Sequence, residues 1–178
     1  MKLTLEKASV IVDKALAKAR EAKFRPMCVA VLDDGGCVKA LKREDGASIL
    51  RPTIAIGKAW GAVGMGESSR ALSERLKERP AFLGALSDMS GGKVVPVAGG
   101  VLIMDAGEII GAVGVSGGTA DEDEACAIEG IKAAGMTSKV RLNELHRRMQ
   151  FLATSTPKIS HEGQIHERHE PETRRHHD

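Results

Sequence analysis

Lys58 stands in the stretch Ile54-Ala55-Ile56-Gly57-Lys58-Ala59-Trp60, among neighbours that are otherwise apolar or small. An ammonium is expensive to bury there unless it is paired. Two readings fit it: an anion-binding or Schiff-base lysine, or a solvent-facing lysine whose stem covers apolar surface. Asp123 and Glu124 follow Gly117-Gly118 closely. At the start of a helix their carboxylates act as acid/base groups, or they simply satisfy unpaired backbone N–H groups. Gly99, Gly100, Gly117 and Gly118 either let backbone amides approach a ligand carboxylate or serve as turn residues. Arg43 either pairs with Asp45 across a loop or faces a ligand acid group. If Lys58 projects toward the two glycine pairs, ammonium and N–H groups form a positive pocket for a carboxylate, with Asp123 or Glu124 beside it.

The rare residues restrict this chemistry further. All six histidines (His146, His161, His166, His169, His176 and His177) fall after residue 137, and the chain of 178 residues has no tyrosine. A site lying wholly within residues 1–137 therefore lacks the usual neutral-pH base, which excludes a Ser-His-Asp triad or histidine-ligated zinc there. That segment carries 18 basic and 18 acidic side chains, so the net charge of +2 belongs to the remainder. With only Phe24, Trp60, Phe82 and Phe151 as aromatic residues, the body has neither the basic surface nor the stacking platforms of a nucleic-acid binder. Cys28, Cys37 and Cys126 match no zinc-site or disulfide spacing and read as reduced, buried thiols. Gly114-Val115-Ser116-Gly117-Gly118 lacks the lysine and the spacing of a phosphate loop.

These residues need elements to hold them. Thr4 caps a helix running to about Lys23, with Leu5, Ala8, Ile11, Val12, Ala15, Leu16 and Ala19 at spacings of three and four. Met27 to Leu32 reads as a buried strand, Asp33 to Gly36 as a hairpin turn, and Cys37 to Lys42 as the returning strand. A helix follows from about Ile49 to Val63 with Pro52 in its first turn. Ser68 or Ser69 caps a short helix through Lys77, and another lies around Pro80 to Ser87. Strands are expected at Val94 to Val97, Val101 to Met104 and Ile109 to Val115. Thr119 and Glu122 then form a capping box for a helix ending near Ala134, with Gly135 as its stop. This order predicts an α+β domain with a mostly antiparallel sheet.

Residues 1–137 are expected to form one domain, residues 138–153 an amphipathic helix, and residues 154–178 a disordered, His-rich tail that either binds divalent metal or stays a solvated segment. No apolar run is long enough for a membrane span, and the charged N-terminus predicts a cytoplasmic protein.

In order and spacing, Val29-Ala30-Val31-Leu32-Asp33, Arg43-Glu44-Asp45-Gly46-Ala47, Ile54-Ala55-Ile56-Gly57-Lys58-Ala59, Pro96-Val97-Ala98-Gly99-Gly100-Val101, Gly114-Val115-Ser116-Gly117-Gly118-Thr119 and Asp123-Glu124-Ala125-Cys126-Ala127 resemble the GlcG/HbpS family, which includes the C-terminal domain of PduO-type proteins. The resemblance implies a profilin-like or PAS-like fold with a five-stranded antiparallel sheet, symmetric homo-oligomers, and binding of a small molecule such as haem or a corrinoid. Arg43, Gly99, Gly100, Gly117, Gly118 and Thr119 would line the ligand site. The alternative is a lyase or hydrolase acting on a small carboxylated metabolite in a catabolic pathway, with Lys58 taking the substrate charge and Asp123 or Glu124 as acid/base. Haem iron usually takes His, Cys, Met or Tyr. Its ligand here would be Met27, Met65, Met104, Cys28, Thr119 or Lys58, or a histidine of the tail.

Overall fold

The computed structural model describes residues Lys2 to Val140. Its elements run α1 (Leu5–Glu21), β1 (Cys28–Asp33), β2 (Val38–Arg43), α2 (Arg51–Met65), α3 (Ser69–Leu76), α4 (Pro80–Met89), β3 (Gly100–Asp105), β4 (Glu108–Ser116), α5 (Ala120–Ala133) and β5 (Thr137–Lys139). The five strands form one antiparallel sheet in the order β2-β1-β4-β3-β5. The result is the expected α+β architecture, with a helical layer on each face of the sheet.

Strand alternation divides the core. Val29 and Val31 of β1, Val101 and Ile103 of β3, and Val113 and Val115 of β4 point to one face, where Ile11, Val12 and Ala15 of α1 and Ala127 and Ile131 of α5 cover them. Cys28, Ala30, Leu32, Leu102 and Ala112 point to the other, under Ala55, Ala59 and Ala62 of α2. Beside its two leucines that second face carries Ala30, Ala112, Gly100 and Gly114, and at the glycines α2 lies very close to the sheet. At Gly114 the backbone of α2 comes so near that a Cβ would collide with the Ala55 carbonyl.

The caps follow local chemistry. Thr4 Oγ accepts from Lys7 N–H at 3.3 Å, and Ser68 Oγ accepts from Ala71 N–H at 3.2 Å. The Thr119–Glu122 box is complete: Thr119 Oγ accepts from Glu122 N–H and the Glu122 carboxylate accepts from Thr119 N–H. By contrast, α4 starts at Arg79 with no side-chain cap, and Leu86 is its sole buried residue.

One strand expectation fails. Val94 to Val97 is irregular: Pro96 offers no N–H to a ladder, Val97 N–H closes a tight turn back to Val95 O at 2.9 Å, and Val95 N–H reaches Gly57 O on α2. The fifth strand is instead Thr137–Lys139, paired with β3, so the segment expected to be helical from residue 138 opens as a strand. The rest of that segment and the His-rich tail lie outside the described residues.

Candidate functional site

Lys58, at the middle of α2, reaches past the end of β4 to the start of α5. Its Nζ donates to Val115 O at 3.0 Å and pairs with Asp123 Oδ2 at 2.7 Å. Both side chains are 3% exposed. The other Asp123 oxygen accepts from Gly118 N–H at 2.9 Å. The carboxylate is thus fixed from two sides, and the pair ties the α2 layer to the α5 layer across the sheet. Partial offset of desolvation by such fixed hydrogen bonds is what lets an ion pair persist in a dry site.

The glycines fit around this pair. Gly99 has φ +115, and a Cβ there would meet Asp123 Cβ, Val115 O and Lys58 Nζ at about 3 Å. Gly100 N–H is given to Ser69 Oγ at 2.7 Å, and the same hydroxyl donates to Val97 O. Gly117 lies against Pro26 and Met27, and Gly118 against Glu122. The space at all four is taken by the chain's own atoms, and the amides of Gly100 and Gly118 are spent within it. The arrangement is a closed polar joint whose two charges cancel, with its apparent anion supplied by Asp123 itself.

The remaining sequence-selected residues lie apart from the pair. Glu124 faces away from Asp123, because successive helix residues do not share a face. It accepts from Arg70 Nε of α3 at 3.0 and 2.9 Å, while Arg70 also pairs with Asp121. The hydrogen bond to Glu124, foremost, pushes the Arg70 guanidinium still further up than usual. Thr119 spends its hydroxyl on the cap of α5. Arg43 is exposed and donates to Ala47 O at 2.8 Å; no ion pair joins it to Asp45 among the described residues.

Among the described residues, atoms able to hold haem iron are few. Met27 and Cys28 are fully buried in the core. Burial also pushes the Cys28 and Cys126 thiols up to about 11, which disfavours thiolate at neutral pH. Met104 is partly buried and packs on the sheet face under α2. Met65 differs: it lines an apolar cleft of about 170 Å³ between α2 and α4, together with Trp60, Gly61, Gly64, Leu86, Met89, Ser90 and Val94. Met89 is 82% exposed at the same cleft. Two larger hollows lie elsewhere, one of about 400 Å³ between α3 and α4 near Lys77 and Leu83, the other of about 370 Å³ where α1 meets the end of α5. None of the three is lined by Lys58, Asp123 or the glycine pairs.

The Trp60 cleft was not singled out from sequence. Its one available signal is that Trp60 is the only tryptophan of the chain. Lys93 places its ammonium over the Trp60 ring, 5.6 Å from the centroid, and Gly36 of the first hairpin lies against the indole edge. Among the described residues no set of three His, Cys, Asp or Glu side chains is placed to hold a metal ion, and no helix is long and apolar enough to cross a membrane.

The fold has known counterparts. The chain is 29% identical over 123 residues to the corrinoid adenosyltransferase PduO of Citrobacter freundii, a match covering 69% of this chain and 36% of that protein. It therefore spans well under half of that relative. The crystal structure of a PduOC:haem complex superposes with a TM-score of 0.70 at 27% identity, covering 79% of this chain and all (100%) of the other. A double mutant of HbpS from Streptomyces reticuli gives 0.66 at 30% identity, covering 74% and 86%. The family model described as haem degrading protein HbpS-like matches residues 3–132, most of the described fold, and the chain belongs to that HbpS-like family.

Proposed function

We propose that this chain is a binding protein for haem or a related tetrapyrrole, and that the macrocycle enters the cleft at Trp60. The observation that carries the assignment is the placement of donors. Of the residues described, Met65 and Met89 bring thioether sulfurs to an apolar wall, and a thioether is an accepted axial ligand of haem iron. Trp60, Leu86 and Val94 supply the apolar surface that a porphyrin face needs. Haem held there would bring redox and ligand-exchange chemistry at iron; the chain's part is to grip one edge, exclude water from it and offer sulfur. The haem complex of PduOC and the likeness to HbpS support this reading. Lys58 and Asp123 then act as a positioning pair that holds the glycine turns, without touching the ligand.

A cleft of about 170 Å³ falls below the roughly 300–1,000 Å³ of enclosed small-molecule sites, so it takes an edge of the macrocycle and leaves the rest for another surface to cover. That need, with Ile49 and Leu50 standing 84% and 62% exposed, supports a homo-oligomer. The exposed free thiol of Cys37 fits a reducing, cytoplasmic compartment. Haem titration is the test. A saturable Soret band at one haem per chain is expected, and Met65→Leu and Met89→Leu should change its position or the near-infrared sulfur–iron band. Absence of any Soret shift on titration would reject the assignment.

A further inference from the structure

Lys93 follows the Gly91-Gly92 turn that ends the α4 region, and its backbone carbonyl is set against Gly57 on α2. The base of the side chain is therefore anchored beside the cleft, while the side chain itself is exposed. Its ammonium lies over the Trp60 ring, and among the described residues no carboxylate pairs with it. An ammonium over an aromatic face is attracted by the ring quadrupole, about 0.5–1 kcal/mol at an exposed site, which biases where the charge sits without cancelling it. Here the ring is a wall of the apolar cleft. A positive charge that no carboxylate compensates thus stands beside the Trp60 wall, at the rim of an apolar slot.

We infer that Lys93 is the specificity-determining residue of the Trp60 cleft, and that it selects planar apolar ligands carrying a carboxylate on the edge left at the rim. The inference rests on the cleft being the ligand site, and it adds which ligands that site admits. The ring system enters against Trp60, Met65 and Leu86; the carboxylate stays at the rim and accepts a charge-assisted hydrogen bond from Lys93 Nζ. Neutral macrocycles of the same shape keep the apolar contacts and lose this one.

The test uses metal-free protoporphyrin IX and its dimethyl ester on the full chain, which separates the charge of Lys93 from any sulfur–iron bond. Trp60 is the only tryptophan, so quenching of protein emission reads binding directly. The free acid should bind about tenfold more tightly than the diester, the ratio expected for one charge-assisted hydrogen bond. Lys93→Met should bring that ratio close to one, Lys93→Arg should restore it, and raising the salt concentration should reduce it in the unmodified chain. Equal binding of acid and diester by the unmodified chain, or a ratio unchanged in Lys93→Met, would overturn the inference while leaving haem binding standing. No binding of either porphyrin, together with no Soret shift on haem titration, would overturn the cleft as a ligand site and the role of Lys93 with it.

Discussion

The two faces of the sheet are built on different principles. On the α1/α5 side, long branched side chains such as Ile11, Val12, Val113 and Ile131 are fully buried in one continuous cluster. On the opposite side α2 sits close over Ala and Gly, and the α3–α4 hairpin beyond it keeps a small cluster of its own around Leu72, Leu76, Leu86 and Val94. The hairpin is held largely by polar links: Ser69 to Gly100 and Val97, Arg70 to Glu124 and Asp121, Arg75 to Glu67. α3 owns all of these, whereas α4 has Leu86, no side-chain cap, and after its end Gly91 and Gly92 in left-handed conformations with open space around them. Stability is concentrated on one face and adaptability on the other, and the cleft lies under the adaptable element. Binding sites draw on the weakly held parts of a fold because those parts can move at small cost.

The largest effect is expected where the two sides are joined. Asp123→Ala leaves Lys58 buried with the Val115 carbonyl as its one remaining partner, and losing one partner of a buried ion pair costs about 3–5 kcal/mol. Urea denaturation should show this as a lower midpoint with an unchanged slope. The double variant with Lys58→Met should recover part of the loss; no recovery would mean that the pair is not what joins the layers.

A matched pair of truncations comes next. Ile11→Ala, in the continuous cluster, should cost about 2–5 kcal/mol in global unfolding. Leu86→Ala removes a similar volume, yet should lower the global unfolding free energy by less than about 1 kcal/mol, because α4 opens locally before the sheet does. Its mark should instead be faster hydrogen exchange at the α4 amides. Equal global losses in the two variants would abolish the contrast between the faces. Even without mutation, α4 amides should exchange faster than those of α1.

Much of this contrast was legible in the chain, and the exceptions have physical causes. Thr4, Ser68 and the Thr119–Glu122 box announce their helices because a cap is local: donor and acceptor are three residues apart. The Asp33–Gly36 turn is local too, with Asp33 Oδ1 accepting from Gly35 and Cys37 N–H. Val94 to Val97 misled because three valines suggest a strand, while Pro96 removes the donor a ladder needs. Thr137–Lys139 escaped notice because Thr-Ser-Lys has no apolar alternation. For the site, Lys58 was conspicuous as a charge in an apolar helix. Its partner lies 65 residues away, and no spacing rule reports whether that partner is a ligand or Asp123. Met89 and Lys93 become site residues only because α4 folds back over α2, a long-range event with no local signature.

A pH-dependent effect distinguishes the cysteines. Cys28 and Cys126 are buried on opposite faces of the sheet, and each thiol is raised to about 11 from 9.0. A group raised on folding adds stability that is complete below the unfolded value and lost as pH climbs through the folded one. Stability should therefore fall between about pH 9 and 11, by on the order of 1 kcal/mol per pH unit for each thiol. Replacing either cysteine by alanine should flatten the decline by one share; an unaltered slope would assign it to other groups. Exposed Cys37 should react with a thiol reagent in the native state, while the other two wait for unfolding.

The outermost strand on one side of the sheet, β2, pairs with β1 alone and carries Lys39, Lys42 and Arg43. Lys42 also reaches α1 through Asp13 at 2.5 Å. At the other margin β5 is three residues long. Both margins are thus poor templates for adding a foreign strand, one by repulsion and the other by lack of length. A chain with so many short apolar strands would otherwise risk cross-β stacking at high concentration.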